Sequence, residues 1–280
     1  MKRIDSHQHF WQLSRGDYNW LTPELEQLYK DFLPSELAPI LEQSQVNKTI
    51  LVQAAATTAE TEFMLKIARN TDFVSGVVGW IDMECDNALA HLEHFSQSTY
   101  FKGIRPMLQE IEDDNWMLKP ELAPVFELLI AKGLTFDALV LPQHLDALYI
   151  LLKRYPELKV VIDHGAKPAI AVYSADNSSP EWYEKIALIA SETSAFCKLS
   201  GLVTEAGVYP SYDQLAPYME HLLVCFGAER LMFGSDWPVV NVSSDYFRWT
   251  KQVETFVEAL TAKEQQSIWS TTAQKFYNIQ

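Results

Sequence analysis

The 280-residue sequence predicts an α/β fold: one closed barrel of eight parallel strands, each followed by a helix, spans residues 1–280 as a single domain with an extra C-terminal helix. Three observations predict it. Short runs of Val, Ile and Leu alternate with segments of helical periodicity, the pattern of strands covered by helices on a parallel sheet. The runs number eight, the count at which such a sheet closes into a (β/α)8 TIM barrel. The chain is 48% hydrophobic and long enough to bury one large core, and no linker, low-complexity tract or repeat beyond the βα unit divides it.

Strand one is the run Lys2-Arg3-Ile4-Asp5-Ser6-His7-Gln8-His9-Phe10-Trp11. Extended backbone sends alternate side chains to opposite faces, so His7 and His9 project the same way. That suits two imidazoles converging on one ion or substrate; taken alone, the pair fits two surface histidines on a polar edge equally well. Residues 11–34 form a long aromatic connection including Asp17-Tyr18-Asn19-Trp20-Leu21. Such a loop packs over something, commonly the top of a barrel, and Tyr18 and Trp20 read as its anchors. From Ser35, the spacing of Leu37, Ile40 and Leu41 is helical, and the apolar run 48–53 follows as strand two. Helix 59–70 leads to strand 73–82, helix 86–97 to strand 100–108, and helix 121–132 to strand 134–140. Helix 143–154 leads to strand 158–164, helix 181–192 to strand 195–202, and helix 213–226 to strand 230–236. The remainder, 246–280, holds the eighth helix and an extra one. The latter starts at the capping-box spacing of Thr261-Ala262-Lys263-Glu264, with Ile268, Trp269, Phe276 and Tyr277 as its apolar face.

The formal charge of -15 sets the chain against phosphate backbones and anionic membrane surfaces, so neither nucleic acid nor membrane is an expected partner. An anionic small substrate stays open, because one arginine in a pocket overrides the average field. The N-terminus has no signal-type segment and no window reaches the length of a membrane span, which points to a cytoplasmic protein. Cys85, Cys197 and Cys225 are odd in number and widely spaced, as buried thiols are and a disulfide frame or zinc knuckle is not.

A barrel of this kind carries its chemistry at the C-terminal ends of the strands. There the sequence places His7 and His9 on strand one, Gln53 on two, Trp80 to Asp82 on three, Arg105 on four and Asp137 on five. Strands six to eight end in Asp163-His164-Gly165, Lys198-Leu199-Ser200-Gly201 and Gly234-Ser235-Asp236-Trp237-Pro238. By strand parity an inward His164 takes Val160 and Ile162 with it and leaves Asp163 facing the helices or the rim. Asp236 shares its face with Gly234 and Met232, and Arg105 shares its face with Gly103, which turns Lys102 away. Each residue has a plainer reading: His164 a satisfied core histidine, Asp236 a turn cap before Trp-Pro, Arg105 the partner of a structural carboxylate. Asp137 either faces the pocket or closes a buried ion pair. Lys198 and Ser200 read as support by hydrogen bonding from behind. His, Arg, His and Asp ending four separate strands is the combination that chance explains least well.

On the residues Ile4-Asp5-Ser6-His7-Gln8-His9-Phe10-Trp11, Asp17-Tyr18-Asn19-Trp20-Leu21, Lys102-Gly103-Ile104-Arg105, Ile162-Asp163-His164-Gly165-Ala166-Lys167-Pro168, Cys197-Lys198-Leu199-Ser200-Gly201-Leu202 and Phe233-Gly234-Ser235-Asp236-Trp237-Pro238, the chain resembles the amidohydrolase superfamily. Within it, the resemblance is to the branch of sugar-lactone and dicarboxylate-lactone hydrolases. It implies metal ligation by His7 and His9 on strand one, His164 on strand six and Asp236 on strand eight. Binuclear members use a carboxylated lysine or glutamate on strand four and a histidine on strand five. This chain has Arg105 and Asp137 there, and His144 lies beyond Pro142 at a helix start. One divalent ion, Zn²⁺ first, or none is the expectation.

The implied chemistry is hydrolysis of a sugar-derived lactone, such as L-fucono- or L-rhamnono-lactone, to its sugar acid. Asp236 takes a proton from water and returns it to the leaving ring oxygen. His164 is a further ligand or a direct donor to the carbonyl oxygen. Arg105 clamps a carboxylate or hydroxyl, and Gln53, Trp11 and Trp80, with Asp137, are the candidate substrate wall, barrel-core packing being the plainer reading of the first three. A neutral aldonolactone suits the net charge better than a polyanionic one. The rivals are a metal-dependent decarboxylase of the same superfamily and a non-catalytic barrel that binds a sugar acid. Homo-oligomerisation stays open.

Overall fold

A computed structural model describes residues 2–172 and 180–279. Its centre is an eight-stranded parallel sheet in the order β1 to β8. The strands are β1 (Arg3–Gln8), β2 (Val46–Val52), β3 (Val74–Gly79), β4 (Phe101–Ile104), β5 (Thr135–Ala138), β6 (Lys159–Ile162), β7 (Phe196–Leu199) and β8 (Leu231–Phe233). Beyond β8 the seam to β1 is closed by backbone hydrogen bonds from Asp236 to the His7 carbonyl (2.8 Å) and from His9 to the Trp237 carbonyl (2.7 Å). The same pairing appears as a parallel bridge between Gln8 and Trp237.

Between the strands run α1 (Pro34–Gln43), α2 (Thr58–Arg69), α3 (Ala88–Phe95), α4 (Ala123–Lys132), α5 (Leu145–Arg154), α6 (Pro180–Glu192), α7 (Leu202–Glu205) and α8 (Tyr212–Phe226), and α9 (Tyr246–Val257) follows β8. The helix-starting chemistry is visible at several of them. Thr57 caps α2 through the Glu60 amide, and Ser211 with Gln214 forms a capping box on α8. The expected box Thr261–Glu264 forms and opens α10 (Ala262–Gln266). A π turn over Ser267–Thr271 then separates it from α11 (Thr272–Tyr277), so the extra helix is two pieces. The short α7, inserted straight after β7, has no sequence signal of its own.

Two apolar bodies result. Ile4, Ile50, Val52, Val78, Val161 and Met232 cluster inside the barrel with Phe276 and Tyr277, while residues of opposite parity pack against the helices. Val161 faces inward and Val160 and Ile162 outward, the reverse of the parity expected from His164. The reason is local: β6 stops at Ile162, and His164 sits beyond it with φ +54°, off the strand and outside its alternation. Asp163 accordingly continues the inward face. The strands generally end before the polar residues that follow them, because those residues leave the ladder to bond one another. All three cysteines are free. Among the described residues no helix is long and apolar enough to cross a membrane.

Candidate active site

β1, the turn after β6 and the turn after β8 bring four polar side chains to one point. Asp236 Oδ1 lies 3.2 Å from His9 Nε2, 3.6 Å from His7 Nε2 and 3.9 Å from His164 Nε2. The two strand-one rings are 3.1 Å apart at Nε2, as their shared face requires. Asp236 has φ +58°, a left-handed conformation that aspartate tolerates better than most residues, and this turns its carboxylate back over β1. Gly234 is needed beneath it: a Cβ there would lie 2.8 Å from His7 Cβ. All four side chains are nearly or fully buried.

Burial pushes the three imidazoles toward the neutral form. His164 falls to about 4, His9 falls below its ordinary value, and His7, with the Lys198 charge adding, falls well below it. Burial would raise the Asp236 carboxyl, but His164, then His9 and His7, outweigh it and hold Asp236 well below the carboxylate range. The result is an ionised carboxylate held against three imidazoles. His9 Nδ1 is 2.8 Å from the Val52 carbonyl, which only accepts, so Nδ1 carries the hydrogen and Nε2 presents a lone pair. That lone pair faces the Asp236 oxygen, two acceptors in contact, and a proton or a cation must lie between them. The donor set of His7, His9 and Asp236 therefore fits a divalent ion, with His7 giving its Nε2 lone pair and its hydrogen moved to Nδ1. A second group, His7, Asp163 and His164, has its carboxylate tied to Lys198 Nζ at 2.8 Å and is less free to do so.

Beneath the rings lies a polar layer. Fully buried Lys198 reaches Asp137 Oδ2 at 2.6 Å, Asp163 Oδ1 at 2.8 Å and His7 Nδ1 at 3.1 Å. Burial opposes ionisation of Asp163, but the Lys198 charge beside it prevails and holds its carboxyl low. Ser200 meets His164 Nδ1 at 2.9 Å, so Lys198 and Ser200 do support the rings from behind. Asp5, fully buried, accepts from the Ser235 amide at 2.8 Å and from the Tyr246 hydroxyl at 3.1 Å and thereby ties β1 to the β8 turn. Nothing in the sequence apart from an acidic residue in an apolar strand marked that role.

A cavity of about 200 Å³ opens above this layer. His9, Arg105, His164 and Asp236 border it together with Trp20, Ala54, Met107, Gln109, Glu110, Leu139, Lys167 and Val239. Four residues expected at its wall stand elsewhere. Asp137 takes the ion-pair alternative, spent on Lys198, Thr135 and the Tyr277 hydroxyl. Gln53 donates to the Arg105 carbonyl and is fully buried. Trp11 packs among Tyr18, Trp20 and Phe32, and Trp80 is not among the described residues that border the cavity. Arg105 borders the cavity, yet its Nη2 donates to the Gln53 carbonyl and its Nη1 lies 3.3 Å from His7 Nε2 and 3.5 Å from Asp163. Trp20 both anchors, through Nε1 to the Ala54 carbonyl at 2.7 Å, and lines the cavity. Gln109, Glu110 and Lys167 come from irregular segments that periodicity does not address.

The family model described as Amidohydrolase matches residues 4–279. An L-fucono-1,5-lactonase of Burkholderia ambifaria is 40% identical over 99% of this chain and 96% of its own length. An L-fucono-1,5-lactonase of Burkholderia multivorans is 33% identical with the same coverage. The crystal structure of an amidohydrolase from Burkholderia multivorans with bound zinc superposes with a TM-score of 0.93 over 100% of both chains at 33% identity.

Proposed function

The chain belongs to the amidohydrolase family, and on that footing we propose that it is a lactonase that opens the cyclic ester of a neutral aldonolactone such as L-fucono-1,5-lactone. The observation that carries the reading is the ionised Asp236 carboxylate, ringed by His7, His9 and His164, at the floor of a small cavity. At about 200 Å³ the cavity is smaller than the roughly 300 Å³ at which ordinary ligand pockets begin. A single sugar ring is the size of substrate that suits it.

Asp236 accepts the proton of a water held against it, and the oxygen attacks the lactone carbonyl. The charge that develops on the carbonyl oxygen is met by the ring N–H of His164, with the Arg105 guanidinium adding its positive charge at the cavity border, in a site largely closed to solvent. The proton on Asp236 then passes to the departing ring oxygen, the bond from carbonyl carbon to ring oxygen breaks, and the sugar acid leaves. His9, locked by Val52, and His7, locked from below by Lys198, keep the carboxylate in place. A divalent ion, Zn²⁺ for this donor set, would be held by His7, His9 and Asp236 and would supply Lewis-acid polarisation of a carbonyl.

Acid release from a panel of aldono-1,5- and 1,4-lactones, followed by pH-stat for the wild type and Asp236→Asn, tests the reaction. Release by the wild type and its loss in the variant are expected. No release from any lactone, or carbon dioxide from an aromatic acid instead, would overturn the reading. Calorimetric titration with Zn²⁺ reads the ligand set independently: about one ion per chain is expected, and none in His9→Ala.

A further inference from the structure

We propose that Lys167 is a specificity-determining residue of this site, its Nζ donating to the hydroxyl on the ring carbon next to the lactone carbonyl. The inference rests on the hydrolytic reading above. The first observation is in the backbone. His164, Gly165, Ala166 and Lys167 have φ of +54°, +57°, +62° and +49°, a run of left-handed residues of which one is glycine. L-residues enter that region against their steric preference, and a run of them persists only where the surroundings impose it. The Lys167 amide closes the turn on the His164 carbonyl at 2.9 Å, and Trp182 Nε1 holds the Gly165 carbonyl at 2.8 Å. In a turn with this tight bond, side chains three apart lie one over the other. His164 and Lys167 consequently border the cavity together.

The second observation concerns donors. An ammonium has three N–H groups. Among the described residues Lys167 Nζ donates to Gln109 Oε1 at 2.9 Å, and Glu205 Oε1 stands off at 4.0 Å, beyond hydrogen-bond reach. Arg105 is differently placed: its two terminal nitrogens are turned to Gln53, His7 and Asp163. Among the described residues Arg105 Nε is left without a partner but is buried, and the Arg105 side chain is 4% exposed against 21% for Lys167. Of the two cavity-lining cations, Lys167 is the one with unspent donors on a side chain that reaches into the open. A lactone whose carbonyl lies between Asp236 and His164 carries its neighbouring hydroxyl one turn further along, toward Lys167 and Gln109. Glu110, on the same segment as Gln109, borders the cavity as an acceptor for a second hydroxyl.

The test compares kcat/KM for an aldono-1,5-lactone and its 2-deoxy analogue in the wild type, Lys167→Met and Lys167→Arg. A hydrogen bond from a charged donor predicts that the wild type prefers the 2-hydroxy lactone by about 10- to 100-fold. Lys167→Met is expected to lose that preference by falling on the 2-hydroxy lactone alone, and Lys167→Arg to restore most of it. An equal loss on both lactones, or an unchanged preference, overturns the proposal. If Lys167→Met does not fold, Gln109→Leu, which leaves the turn intact, is expected to weaken the preference in the same direction. A wild type that opens neither lactone overturns the hydrolytic reading and this inference with it. Wild-type turnover without the 2-hydroxyl preference overturns this inference alone.

Discussion

Replacing Glu60 by glutamine removes a buried charge that the fold carries at neutral pH. Glu60 stands in the first turn of α2, fully buried, where Oε2 accepts the Tyr18 hydroxyl at 2.8 Å and Oε1 accepts the Ala54 amide at 3.2 Å, with Arg15 3.4 Å away. Burial dominates these contacts and lifts its carboxyl from 4.5 to about 7. Between those two values the unfolded chain has released a proton that the folded chain keeps, so stability falls as pH rises through the window and is level above it. At about 1.36 kcal/mol per pH unit the descent amounts to about 3 kcal/mol. The glutamine side chain keeps the shape and cannot ionise. Urea denaturation followed by tryptophan fluorescence should therefore give coincident stabilities for wild type and Glu60→Gln at pH 4.5. The variant should be the more stable by about 3 kcal/mol at pH 7.5. Parallel curves across that range would refute the reasoning.

Asp236→Asn should lower kcat by about 10²- to 10⁴-fold while leaving thermal unfolding nearly unchanged, since asparagine also tolerates the left-handed backbone and the bond to the His7 carbonyl is a backbone one. Gly201→Ala should lower both stability and kcat, because its φ is +63° and the new methyl would overlap the His164 ring; denaturation and steady-state kinetics read the two effects. Lys198→Met leaves Asp137 without a counter-charge and Asp163 with Arg105 alone and should cost about 3–5 kcal/mol in urea denaturation. That loss should grow as pH rises, since the stranded carboxyls ionise.

The barrel was legible because its information is repetitive: eight apolar runs at regular spacing over-determine the count even where single boundaries shift by several residues. His7, His9, His164 and Asp236 were legible because each is a polar residue at the end of an apolar strand, where a core would not place it. The wall of the cavity was not. Trp11 and Gln53 are equally conspicuous at strand ends, yet packing absorbs the one and a bond to the Arg105 carbonyl the other, and no pattern in one dimension separates the two outcomes. Lys167 escaped notice because its direction is set by a left-handed turn, and the same turn reversed the parity expected for Asp163. Strand alternation extends only as far as the ladder does.

The seam between the last strand and the first is made by the backbones of Asp236 and His7 and of His9 and Trp237, and the side chains of the first three also form the site. His9 and Asp236 are 227 positions apart in the chain. A nascent polypeptide emerging from the ribosome thus has no partial site to show: until the eighth strand docks against the first, the carboxylate is absent from its imidazoles. Turnover becomes a reporter of ring completion. Two complementary fragments divided at an exposed loop should be individually silent and recover hydrolysis only when they reassemble.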